Sequence, residues 1–185
     1  MRRVLSRSRP WLVAVAALAI AVTIASAQTT HEPLPASVRI DRLVVYKGEH
    51  RLEAYSGSTL VRTYRIAIGS GGAGPKRYEG DGRTPEGVYR IDRRHQSRLY
   101  HRFLHVSYPN DDDRRRYREL KERGEVPEGA GIGGDIGIHG ESKDPEVRPL
   151  GRSVDWTAGC IAVSDAEIEE LYRAVVRNAV IEIRP

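Results

Sequence analysis

The sequence predicts a β-rich domain, mainly antiparallel and built as a sandwich or meander, with one or two α-helices packed on it. Three observations carry that reading. Residues 41–46, 51–55 and 60–68 are short runs rich in β-branched and aromatic side chains, separated only by Lys47-Gly48-Glu49 and Ser56-Gly57-Ser58. Gaps this short fit hairpins, since a parallel crossover needs a dozen or more residues. Helical patterning is confined to two stretches, one opened by the capping-box spacing Ser164-Asp165-Ala166-Glu167.

Taken in order, the chain of 185 residues starts with a segment that reads as an export signal. Arg2, Arg3, Arg7 and Arg9 precede an apolar run over 11–24, and Ala25-Ser26-Ala27 supplies small residues for cleavage before Gln28. The expectation is a cleaved signal over 1–27 and a protein exported to the periplasm or cell wall; an uncleaved anchor is the alternative. No cysteine stands directly after the apolar run, so a lipidated anchor is not expected. Residues 28–37, with Pro33 and Pro35, read as a flexible lead-in to one domain over 38–184.

Within the domain, Thr84-Pro85-Glu86-Gly87 is a turn signal before a strand at 88–91, and 103–108 reads as another strand ended by Pro109. Residues 111–122 form a polar helix with an acidic first turn. Residues 135–138 make a short strand, 141–154 a polar loop with two prolines, and the helix after Ser164 carries Ile168, Leu171, Tyr172 and Val175 on one stripe. A last strand covers 179–183.

Charge and glycine patterns exclude several functions. The formal charge is +5, but four of those charges lie in the signal, leaving 5 − 4 = +1 after cleavage. The basic pI is therefore no sign of a nucleic-acid partner. Gly69-Ser70-Gly71-Gly72-Ala73-Gly74 matches a dinucleotide fingerprint by spacing, yet Pro75 and Gly80-Asp81-Gly82 follow where a helix should open. It reads as a mobile loop beside a cleft, not a nucleotide site. His95, His101 and His105 lack the carboxylate partners and helical spacing of a metal set, so no metal or cofactor is expected. Residues 95–102, with Arg98, Tyr100 and Arg102, could line a substrate cleft.

The chemistry concentrates in two stretches, Gly137-Ile138-His139-Gly140 and Asp155-Trp156-Thr157-Ala158-Gly159-Cys160-Ile161-Ala162-Val163. Cys160 is the only cysteine, so it forms no internal disulfide. A thiol near its ordinary pKa is mostly protonated at neutral pH and needs a base, for which His139 is the candidate. Backbone N–H groups around Gly159 and Cys160 could face a developing oxyanion. No Asp or Asn follows His139 to orient its ring, which makes the Gly140 carbonyl the candidate.

These segments resemble the L,D-transpeptidase catalytic domain family (the YkuD-type fold). The shared features are His139-Gly140, Thr157-Ala158-Gly159-Cys160, and the upstream Thr84-Pro85-Glu86-Gly87-Val88-Tyr89. The resemblance implies Cys160 as nucleophile and His139 as general acid/base, with Gly159, Gly140 and Thr157 positioning them. It implies a peptidoglycan tetrapeptide donor, attacked at the L-centre carbonyl of meso-diaminopimelate with loss of D-alanine, and an amine acceptor. Trp156, Arg83 and Lys76 are substrate-binding candidates, the two cations for stem-peptide carboxylates. Ala158 stands where many members have a second His, and Ala162 where cross-linkers often have Arg or Asn. The Asp-Trp-Thr-x-Gly-Cys form looks like a subgroup that includes an enzyme detaching a lipoprotein from peptidoglycan. An L,D-carboxypeptidase or a peptidoglycan–lipoprotein amidase is therefore the alternative to transfer, and a non-catalytic wall-binding module the second.

Overall fold

A computed structural model describes residues 32–185. The expected export signal and the start of the lead-in lie outside the described residues. The rest of the lead-in is docked. Leu34 is buried, its N–H donates to Glu170 at 2.6 Å, and its carbonyl accepts from Arg173 at 2.6 Å.

The elements are β1 (Ile40–Tyr46), β2 (Arg51–Ser56), β3 (Thr59–Arg65), β4 (Gly87–Ser97), β5 (His101–Val106), α1 (Asp111–Glu122), β6 (Gly137–His139), β7 (Ile161–Ala162), α2 (Asp165–Ala174) and β8 (Val175–Arg184). They form one curled, mostly antiparallel sheet in the order β3-β2-β1-β8-β4-β5-β6-β7. The first three strands pair as the expected hairpins. Two neighbours are parallel, β1 with β8 and β6 with β7. β4 serves both halves of the sheet: Gly87–Arg90 pairs with β8, and the remainder pairs with β5 after a register shift between Ile91 and Arg93.

The two outer strands are brought together at the site. Past β3 the chain stays extended, and Ala67 exchanges both backbone hydrogen bonds with Ala162 of β7, at 3.0 and 2.8 Å. Both helices are capped as boxes. Ser164 and Glu167 close the start of α2, and Asn110 with Asp113 closes that of α1. The buried face of α2 presents Ile168 and Leu171 to the core. Val175, which fits the helical stripe, instead begins β8.

Candidate active site

The pleat of β4 to β7 sorts residues onto two faces, because successive side chains point to opposite sides and paired residues share a side. Leu104 pairs with Ile138, and Ile138 with Ile161; all three are fully buried core. The neighbouring rows face the other way. One row is His95, Phe103, His139 and Ala162, each paired with the next. The other is Arg93, His105 and Gly137; the β6–β7 register, carried back one residue, sets Cys160 beside Gly137. His139 and Cys160 are thus diagonal neighbours on one face.

His139 is 1% exposed and held from several sides. Its Nδ1–H donates to the Gly140 carbonyl at 2.7 Å, which fixes the tautomer and leaves Nε2 as the basic nitrogen. The Tyr100 ring stacks on it at 4.0 Å between centroids, Phe103 lies at 6.0 Å, and Trp156 is tilted over it at 5.6 Å. Burial lowers its pKa from 6.5 to about 4, so the imidazole is neutral at neutral pH. Gly140 has no room for a side chain: a Cβ there would meet Asp165 Oδ1 at 2.5 Å. Its N–H is held by the Tyr100 carbonyl at 3.2 Å.

Cys160 is half-buried and opens on a cleft of about 420 Å³. Its thiol donates to the Asp135 carbonyl at 3.5 Å. Burial in dense surroundings pushes its pKa up to about 11, against a hydrogen bond from the Gly137 backbone. The resting pair is therefore neutral thiol and neutral imidazole, not the thiolate–imidazolium pair that a base beside a cysteine suggests.

The nucleophile loop is tied down by Thr157, whose Oγ1 accepts the Gly159 N–H at 3.2 Å and donates to the Cys160 carbonyl at 2.7 Å. The Gly159 amide is thus committed to Thr157, a correction to its expected place in the oxyanion hole. Gly159 itself has φ +130°, and a Cβ would sit 2.7 Å from the Arg83 carbonyl, so only glycine fits. Asp155 accepts the Ile68 N–H at 2.9 Å, and Ser70 N–H donates to the Thr157 carbonyl at 2.9 Å.

The glycine-rich segment is a buttress and not a mobile loop. A Cβ at Gly69 would lie 2.1 Å from the Gly82 carbonyl, and its N–H donates to buried Thr84 at 2.9 Å. Lys76 is buried and paired at 2.7 Å with Asp81, which also accepts the N–H groups of Arg77 and Arg83. Its cation is used within the fold. The Arg83 side chain lies along Gly71 and Gly74, and neither cation lines the cleft. Trp156 donates its indole N–H to the Gly151 carbonyl at 2.8 Å, tethering the proline-containing loop.

The cleft is instead lined by Arg93, His95, Tyr100, Phe103, His105 and Asp135, together with Cys160. Tyr100, within the stretch expected to face a cleft, is the site residue with the least sequence signal. Its phenol is raised by burial and then by the neighbouring Cys160. Among the described residues no cluster of His, Cys, Asp or Glu could hold a metal ion.

Known proteins resemble this chain in sequence and fold. The chain is 28% identical over 137 residues to YafK of Escherichia coli K12, which carries a provisional L,D-transpeptidase name; the match covers 71% of this chain and 45% of YafK. Its fold is similar to Bdellovibrio bacteriovorus Bd1075 (TM-score 0.54, 21% identity, 82% of this chain and 50% of that one). It is also similar to the helical cell shape determining protein Pgp2 of Campylobacter jejuni (TM-score 0.54, 21% identity, 80% and 48%). The chain spans about half the length of these relatives. The L,D-transpeptidase catalytic domain (YkuD) profile matches residues 40–183, and the chain belongs to that family.

Proposed function

We propose that this domain is an exported cysteine acyltransferase acting on peptidoglycan stem peptides. Cys160 Sγ attacks the L-centre carbonyl of meso-diaminopimelate in a tetrapeptide donor while His139 Nε2 takes the thiol proton. The C–N bond breaks, that proton passes to the departing amine, and D-alanine leaves. The amine of an acceptor stem then attacks the thioester; His139 takes its proton and returns it to the sulfur. In this reading the Cys160 amide serves as the backbone donor to the tetrahedral oxygen.

The observation that carries this reading is the diagonal placement of Cys160 and His139 on one face, with the ring fixed by Gly140. Neutral partners suit it: with the imidazole near 4 and the thiol near 11, the pair keeps its working protonation across the neutral range. The family supplies the substrate class, and the export segment fits a peptidoglycan substrate.

Mass spectrometry of the protein incubated with disaccharide-tetrapeptide tests it. A covalent adduct of donor minus alanine on Cys160, absent from Cys160→Ala, is the expected result. A cross-linked dimer with free alanine identifies transfer, and a tripeptide with free alanine identifies L,D-carboxypeptidase action. Cys160-dependent release of a peptidoglycan-linked lipoprotein identifies the amidase. No adduct and no product on any of these substrates overturns the reading.

A further inference from the structure

Among the described residues that line the cleft, Arg93 is the permanent cation, and the catalytic chemistry leaves it unused. Arg93 projects from β4 with its side chain 67% exposed, and it lines the same cleft as Cys160. It is held by a half-buried relay through His105 and Asp92. Asp92 accepts from His105 Nδ1 at 2.7 Å, and His105 Nε2 accepts from the Arg93 guanidinium at 2.8 Å. His105 is only 7% exposed, so the relay is anchored in the sheet. The His105 contact uses one Nη2 donor and Nε lies 3.8 Å from Asp92 Oδ1, so the Nη1/Nη2 end of the fork is the part left for a ligand. The remaining edge is suited to two parallel hydrogen bonds from a carboxylate.

The sheet register measures how far that edge lies from the sulfur. Arg93 begins the row that runs through His105 and Gly137 to Cys160, three inter-strand steps. At ~4.8 Å per step the backbones are roughly 14 Å apart. The long arginine arm and the projecting sulfur shorten this to about two residues of extended chain at ~3.5 Å each. A carboxylate one residue from the attacked carbonyl, such as that of the leaving D-alanine, is too near.

Resting on the proposed substrate, we infer that Arg93 is a specificity residue that takes the carboxylate at the far end of the meso-diaminopimelate side chain. His105 and Asp92 are positioning residues for it. The two cations closest in sequence to the glycine-rich segment, Lys76 and Arg83, have no part in this recognition.

The test is binding of tetrapeptides to Cys160→Ala and to Cys160→Ala/Arg93→Gln by calorimetry, with peptides amidated at one carboxylate at a time. Arg93→Gln is expected to weaken the unmodified peptide about tenfold or more and to leave the peptide amidated at the diaminopimelate side chain unaffected. Arg93→Lys is expected to fall between. Equal losses on both peptides, no loss on either, or a selective effect at a different carboxylate overturns the inference. Adduct formation by the chain with native Cys160 keeps the two readings apart. Acylation by both peptides without Arg93 selectivity defeats this inference alone, whereas no acylation and no binding defeats the proposed function with it.

Discussion

The two faces of β5, β6 and β7 are made of alternate residues of the same short strands, yet one is core and the other is chemistry. Leu104, Ile138 and Ile161 form a dry, fully buried row. Phe103, His105, His139 and Cys160, each one position away, form the site. The difference teaches that the core row is what fixes the catalytic row. Burying a Leu or Ile side chain contributes ~1.5–3 kcal/mol, and a one-residue slip of any of these strands would forfeit its share while turning its site residue inward. Accuracy at His139 and Cys160 follows from apolar packing on the opposite side of the sheet.

The sharpest test of that contrast compares adjacent residues. His139→Gln is expected to reduce acylation of Cys160 by more than about a thousandfold with little loss of fold, since the amide can still donate to the Gly140 carbonyl. Ile138→Ala should behave oppositely, costing about 2–5 kcal/mol in denaturant unfolding while the folded fraction still acylates. If both variants lost activity and stability together, the faces would not be separable.

Acid titration sharpens the comparison next. His139 stays neutral in the folded protein down to about pH 4, whereas the unfolded chain takes up that proton near 6.5. The unfolded state therefore binds more protons between those values, and stability falls as pH drops through the window. The loss should be on the order of 3 kcal/mol, and His139→Gln should lack it. Unfolding midpoints of both proteins from pH 7 to pH 4 check this.

The smallest effect concerns Gly137, the glycine in the row of His105 and Cys160. A Cβ at Gly137 would lie 2.3 Å from the Phe103 ring. Gly137→Ala should cost about 1–3 kcal/mol and displace the ring that flanks His139. Phe103→Leu in the same chain should recover part of the loss, read as a double-mutant coupling.

Local signals made much of this legible. Ser164 with Glu167 and the acidic turn at 111–113 mark the helix starts, and Cys160 with His139 stands out by residue type alone. What was not legible depended on distant pairing. Nothing in the sequence near β8 shows that it inserts between β1 and β4. Residues 92–97 are too polar to alternate visibly, so β4 looked short. Val175 fits both a helical stripe and a strand. Lys76 and Arg83 looked available because the carboxylate of Asp81, which gathers the amides around them, is visible only once the turn is folded.

The meeting of Ala67 with Ala162 has a consequence for when the thiol becomes a tool. These residues are 95 positions apart in sequence, and the nucleophile loop leans on the segment that carries Ala67. Contacts of such separation form late, after the loop-closure entropy has been met. A chain still in transit, or one cut short, carries an ordinary cysteine. For the nucleophile proposed at Cys160, reactivity toward substrate then reports that this long-range pairing has closed.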